Sequence, residues 1–127
     1  MTKTTLMYIA LIIGVVALVF AARFFGDGKA GATTIYDDFA QCLADSGAVF
    51  YGAYWCPHCN DQKDWMDNSS NIPYVECSTP DGRGQIQECA DEGITGYPTW
   101  KFSDGTEASG AIPLVELAEK TGCELPE

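Results

Sequence analysis

The segment 48–59, AVFYGAYWCPHC, ends an apolar and aromatic run in two cysteines, Cys56 and Cys59, with Pro57 and His58 between them. A thiol acts as a nucleophile only as thiolate, and a free cysteine with a pKa of about 8.5 is mostly protonated near neutrality. If Pro57 sits in the first turn of a helix, where its missing N–H costs nothing, Cys56 stands at the helix amino terminus. Unpaired N–H groups and the positive end of the helix dipole stabilise a negative sulfur there. Cys59 then lies one turn further in, close enough to bridge back and less exposed. Cys56 would attack or be attacked, and Cys59 would resolve the mixed disulfide. His58, the one histidine in the chain, adds a donor and, when protonated, a positive charge near that sulfur; its bland alternative is an exposed helical residue without a role.

Two other chemistries compete. A zinc ribbon would need Cys56, Cys59, Cys77 and Cys89 as ligands, but ribbons usually offer two close pairs, and the second two are far apart in sequence. An inert structural bridge between Cys56 and Cys59 is the remaining alternative. The strand-to-helix placement suits redox exchange better than either.

The elements that must position the pair can be read from periodicity. TTIYDDFAQCLADSG (33–47) places Ile35, Phe39 and Leu43 at spacing four, with acids near its start and Gly47 as a stop, and reads as a helix. AVFYGAYW (48–55) reads as a strand apolar on both faces, the mark of a central strand covered by helices. CPHCNDQKDWMDN (56–68) follows as a helix, IPYVECS (72–78) as a second strand, TPDGRG as a turn and QIQECADEGI (85–94) as a short helix ended by Gly93. YPTWKFSDGTEASG reads as two strands joined at Asp104–Gly105, a strong hairpin signal. IPLVELAEKTG is a last amphipathic helix with Pro113 near its start and Gly122 after it. The order α-β-α-β-α-β-β-α predicts an α/β fold, a mixed sheet with helices on both faces.

Residues 6–22, LMYIALIIGVVALVFAA, carry no charge and no proline, between Lys3 and Arg23. Their length approaches the hydrocarbon core of about 30 Å, so residues 1–25 are expected to form a transmembrane anchor or an uncleaved signal, followed by a flexible linker at 26–33 and a folded domain at 34–127. A cleaved signal peptide is the alternative, with a shorter core and a site such as VFA at 19–21. Charge divides at the same place: residues 1–32 carry Lys3, Arg23 and Lys29 against Asp27, while residues 33–127 carry four basic and 17 acidic side chains. An acidic domain of this kind repels nucleic acid and anionic lipid. Six cysteines point to an oxidising compartment, so the domain is expected outside the cytoplasm, in a periplasm or a thylakoid-type lumen.

GYPT (96–99), just before the hairpin, is a second pointer, because a proline opening a strand supplies no ladder N–H there. WCPHC after an apolar strand, with GYPTW some forty residues later, resembles the thioredoxin fold. FYGAYWCPHCNDQK, PYVECS, CADEGITGYPTW and DFAQCL resemble the thioredoxin-like domain associated with bacterial and plastid vitamin K epoxide reductase homologues, over roughly residues 34–123. The resemblance implies dithiol–disulfide exchange by Cys56 and Cys59, and a cis Pro98 beside them whose neighbours pair with substrate backbone. Two departures stand out. A single apolar segment replaces the multi-helix membrane oxidase often fused to that domain, so the oxidase would be a separate chain. Thioredoxins carry a buried acid six residues before the first cysteine, and here that position is Phe50.

Cys42, Cys77, Cys89 and Cys123 can pair in three ways. In a thioredoxin-like layout Cys77 and Cys89 can meet, closing a 13-residue loop worth about 3 kcal/mol in the loop-entropy model. Cys42 and Cys123 fall together at the opposite edge. The functional alternative is an electron relay through Cys77 and Cys89. Tyr54, Trp55, Trp65 and Trp100 could form an apolar rim, with Trp55 best placed to touch a substrate. The expectation is therefore a membrane-anchored thiol–disulfide oxidoreductase that oxidises thiols of secreted or lumenal proteins. It would pass the electrons to a membrane oxidase resembling vitamin K epoxide reductase, with no cofactor beyond the Cys56–Cys59 disulfide. A reductase or isomerase of the same fold, or a non-catalytic stapled binding module, is the alternative.

Overall fold

The computed structural model describes residues 2–24 and 33–127. The chain divides into two units, Met1–Ala32 and Thr33–Glu127, and the linker expected at 26–33 lies, but for Thr33, outside the described residues. The first unit is helix α1 (Lys3–Phe24), whose side chains are described through Val19. That stretch, residues 3–19, rises about 25 Å, and among the described residues no helix is long and apolar enough to cross a membrane. The transmembrane helix expected within residues 1–25 is thus not found; the uncharged run on which it rested extends past the described side chains.

The second unit holds α2 (Asp37–Asp45), β1 (Val49–Gly52), α3 (Pro57–Asp64), β2 (Tyr74–Glu76), α4 (Gln87–Asp91), β3 (Thr99–Lys101), β4 (Glu107–Ser109) and α5 (Leu114–Thr121). The sheet order is β2-β1-β3-β4. β1 runs parallel to β2 and antiparallel to β3, and β3 pairs antiparallel with β4. The mixed α/β architecture agrees with the pattern read from the sequence.

β1 explains why an apolar run is needed on both faces. Phe50, fully buried, stacks on Trp100 at 4.9 Å and packs with Phe39 and Leu43 of α2, Cys59 of α3 and Leu117 of α5. Its neighbour Tyr51 points the other way, into a second cluster with Cys77, Cys89 and Ile94. Burying a large apolar side chain contributes roughly 1.5–3 kcal/mol, so the sheet is held from both sides.

The elements come out shorter than expected, and three of the boundaries show local features. β1 ends at Gly52 rather than at Trp55, because the chain turns there and the Cys56 N–H donates to the Ala53 carbonyl at 3.0 Å. α3 ends at Asp64, because Asp67 and Asn68 adopt left-handed φ of 51° and 53° and the Asn68 N–H closes on the Lys63 carbonyl. α4 is a short Gln87–Asp91 helix, preceded by the Ser78–Gln85 bridge. At the far end of the sheet Gly105, with φ of 82°, closes the β3–β4 hairpin as its Asp-Gly pair requires.

Candidate active site

Cys56 is the N-cap residue of α3 and Pro57 occupies the first helical position. Extended backbone at Cys56 (φ −81°, ψ 118°) turns its side chain back over the helix mouth. There the sulfur accepts a hydrogen bond from the Cys59 N–H at 3.3 Å, the geometry by which a cap satisfies an orphan helix donor. Both cysteines are free thiols. Both are buried, but Cys56 keeps 5% exposure at the helix mouth whereas Cys59 keeps none.

Burial pushes the Cys59 thiol up to about 12, reinforced by its hydrogen bond with Cys56. Such a group stays protonated through the neutral range. Tyr74 on β2 is raised as well, first by burial and then by its hydrogen bond to Glu76. Its hydroxyl donates to Glu76 Oε2 at 2.7 Å. The other carboxylate oxygen, Oε1, accepts from the backbone N–H of Tyr54 at 3.2 Å and of Ser78 at 2.9 Å. Glu76 therefore ties the turn before Cys56 to the end of β2.

Gly52 makes the close approach possible. A Cβ on it would lie 2.7 Å from Tyr74 Cε2 and 3.0 Å from Cys59 Sγ, so strand, ring and sulfur converge on a site that only glycine fits. Behind the pair, Gln62 is fully buried and spans α3 to the segment before α5. Its Nε2 donates to the Ile112 carbonyl at 3.1 Å, and its Oε1 accepts from the Ile112 N–H at 2.7 Å and from the Trp100 indole at 3.3 Å.

The remaining residues singled out in the sequence fall in different places. Trp55 is about half exposed, and its Nε1 donates to the Ser78 hydroxyl at 2.9 Å. Its ring meets Tyr97 edge-on at 5.9 Å. Pro98 follows Tyr97 through a cis peptide bond and is fully buried. His58 faces solvent with its side chain 74% exposed, its Nδ1 lying 3.6 Å from the Asp61 carboxylate; the hydrogen bond to Cys56 Sγ comes instead from the backbone of Cys59. Of the proposed aromatic rim, Tyr54 and Trp55 are exposed beside Cys56 and Trp65 lies at the other end of α3, whereas Trp100 belongs to the core. Cys42 bridges to Cys123, and Cys77 to Cys89. The second bridge occupies two of the four thiolates that a zinc ribbon would need.

Sequence reading missed Gly52, Gln62, Tyr74 and Glu76 as members of the site. A glycine inside a strand pattern is a signal for close backbone approach, and Gln62, one turn after Cys59, is a polar residue in the apolar phase of its helix. Tyr74 and Glu76 alternate along β2 in a way that sequence alone does not tie to the thiols.

A four-stranded mixed sheet, with a Cys-x-x-Cys pair opening the helix after a central strand, fits the thioredoxin-like fold. No family profile matches the chain. Over 94 residues it is 43% identical to the thiol-disulfide oxidoreductase LTO1 of Arabidopsis thaliana, an alignment covering 69% of this chain and 24% of that protein. The chain thus spans about a quarter of the length of the relative it matches.

Proposed function

We propose that this chain is a protein thiol–disulfide oxidoreductase whose working pair is Cys56 and Cys59. The observation that carries the reading is the contrast within the pair. One sulfur caps the mouth of a helix in a residue that keeps a small exposure, and the other lies fully buried one turn behind it with its own N–H on the first. Similarity to a relative named as a thiol-disulfide oxidoreductase supports the same activity.

In the oxidising direction, a substrate thiolate attacks Cys56 Sγ of the Cys56–Cys59 disulfide. Cys59 leaves as thiolate and takes up a proton. A second substrate thiolate then attacks the substrate sulfur of the mixed disulfide, releasing Cys56. The substrate loses two electrons to form a disulfide and the domain gains them as a dithiol. No cofactor is needed beyond the pair itself. Trp55 and the strand end at Pro98 would line the approach for an extended peptide.

A membrane oxidase resembling vitamin K epoxide reductase is the proposed acceptor of those electrons. An extracytoplasmic setting is supported by the two further bridges, Cys42–Cys123 and Cys77–Cys89. Attachment to a membrane through the first unit rests on the uncharged sequence of residues 6–22, and alkaline carbonate extraction of the full chain from membranes tests it: an anchored chain stays in the pellet.

The direction of exchange is tested by equilibrating the full chain with glutathione redox buffers and counting alkylated thiols. An oxidant gives a potential toward about −120 mV, whereas a value near about −270 mV reverses the direction to that of a reductase. If Cys56 and Cys59 never bridge under any poise, the enzymatic reading falls.

A further inference from the structure

Lys63 is the unexplained charge beside the pair. Residues 33–127 hold four basic side chains against 17 acidic ones. Lys101 is ion-paired with Glu92 and Glu107, Lys120 lies over the Phe102 ring, and Arg83 stands in the loop after β2. Lys63 enters no ion pair among the described residues. Its ammonium instead lies 4.3 Å from the centroid of the Tyr74 ring, a favourable cation–π placement. Tyr74 is in turn braced, its hydroxyl on Glu76 and its ring edge against Phe50 at 5.1 Å. That ring and Cys59 Sγ flank the same glycine, Gly52. Lys63 also follows Cys59 by four residues on α3, so the two side chains share one helix face.

We propose that Lys63 is a positioning residue for the resolving half of the exchange. Its ammonium, parked on the Tyr74 ring, stabilises the thiolate that Cys59 must become before it can displace whatever is bound to Cys56. The inference rests on the exchange reading above and deepens it, placing on α3 and β2 a charge device that the Phe50 position lacks. When Cys59 attacks Cys56 Sγ of a mixed disulfide, the Cys59 proton goes to solvent, the new bond is Cys56–Cys59, and the partner leaves as thiolate. Burial and the Cys56 sulfur oppose that ionisation, while Lys63 favours it. The titratable groups around Cys59 are Cys56 at the N-cap of α3 and Lys63 within it, with Tyr74 and its partner Glu76 from β2; β1 contributes Gly52, and the next residue, Ala53, a backbone contact, neither of them titratable.

The test uses the full reduced chain and oxidised glutathione, with acid quenching and mass spectrometry to separate the two steps. Lys63→Met keeps most of the aliphatic packing and removes the charge, and Lys63→Arg restores a cation. In Lys63→Met, formation of the Cys56–glutathione mixed disulfide stays within about twofold of the parent. Release of glutathione slows by roughly three- to tenfold at neutral pH, the scale of one partly screened charge, and its rate–pH profile moves to higher pH. Lys63→Arg recovers most of the release rate. Unchanged release in Lys63→Met, equal slowing of both steps, or no recovery in Lys63→Arg would each overturn the proposal. Failure of the parent chain to form any mixed disulfide would overturn the exchange reading itself, before any Lys63 variant is compared.

Discussion

Replacing Gln62 by leucine removes the side chain whose hydrogen bonds fasten the back of α3 to Ile112 and Trp100. Leucine nearly matches the volume but leaves three buried groups without partners: the Ile112 N–H, the Ile112 carbonyl and the Trp100 indole N–H. Each stranded buried group costs about 1–3 kcal/mol. Partial relaxation and the shared acceptor at Oε1 bring the sum to about 4–5 kcal/mol. The apolar side chain returns roughly 1–2 kcal/mol in transfer free energy, so a net loss of about 3 kcal/mol is expected. For a domain of this size that lowers Tm by roughly 12–24 °C. Urea denaturation of residues 33–127 and of its Gln62→Leu variant, both oxidised, reads the difference directly, with the slope unchanged. A loss below about 1 kcal/mol would show that the three hydrogen bonds contribute little, and that α3 is held by Cys59, Met66 and the apolar core alone.

Two further predictions concern the thiols and their neighbours. In a Cys56→Ser background Cys59 is the remaining free thiol. Its pKa in the folded chain lies above the unfolded value of about 8.5, at about 12 in the parent structure. Folding therefore retains a proton that the unfolded chain gives up, and stability is fully present below about pH 8.5 and lost as pH rises from there toward about 12. Thermal melts from pH 7 to 10.5 should show Cys56→Ser losing stability relative to Cys56→Ser/Cys59→Ser; parallel curves would contradict the burial assigned to Cys59. Gly52→Ala drives a methyl against Tyr74 and Cys59 Sγ, with an expected cost of about 1–3 kcal/mol. Slower disulfide exchange should accompany it, and a variant with parental stability and exchange rate would refute the close approach.

Much of the fold follows from patterns that local chemistry enforces. The doubly apolar run at β1 has to be central, because Phe50 and Tyr51 face different clusters. Pro57 after a cysteine can begin a helix but cannot continue one, and Asp104–Gly105 supplies the hairpin. Less legible are features set by tertiary contact. The end of α3 depends on Asp67 and Asn68 taking left-handed backbone, which neither residue type requires. Gln62 looks like an ordinary polar helix position until Trp100 and Ile112 arrive from distant segments. His58 illustrates the converse: its place between two thiols suggests a partner for sulfur, yet the helix turns it outward toward Asp61. Trp100 reads equally well as rim or core, and only its stacking on Phe50 decides for the core.

The account stands most directly on which sulfur a partner captures. A full-length Cys59→Ser variant, incubated with a cysteine-containing peptide disulfide and mapped by mass spectrometry after acid quenching, should accumulate a mixed disulfide at Cys56. The Cys56→Ser variant, with its remaining thiol buried, should accumulate little or none at Cys59. Equal capture at both positions, or capture at neither, would contradict the division of labour between a capping thiol at the helix mouth and a sealed resolving one.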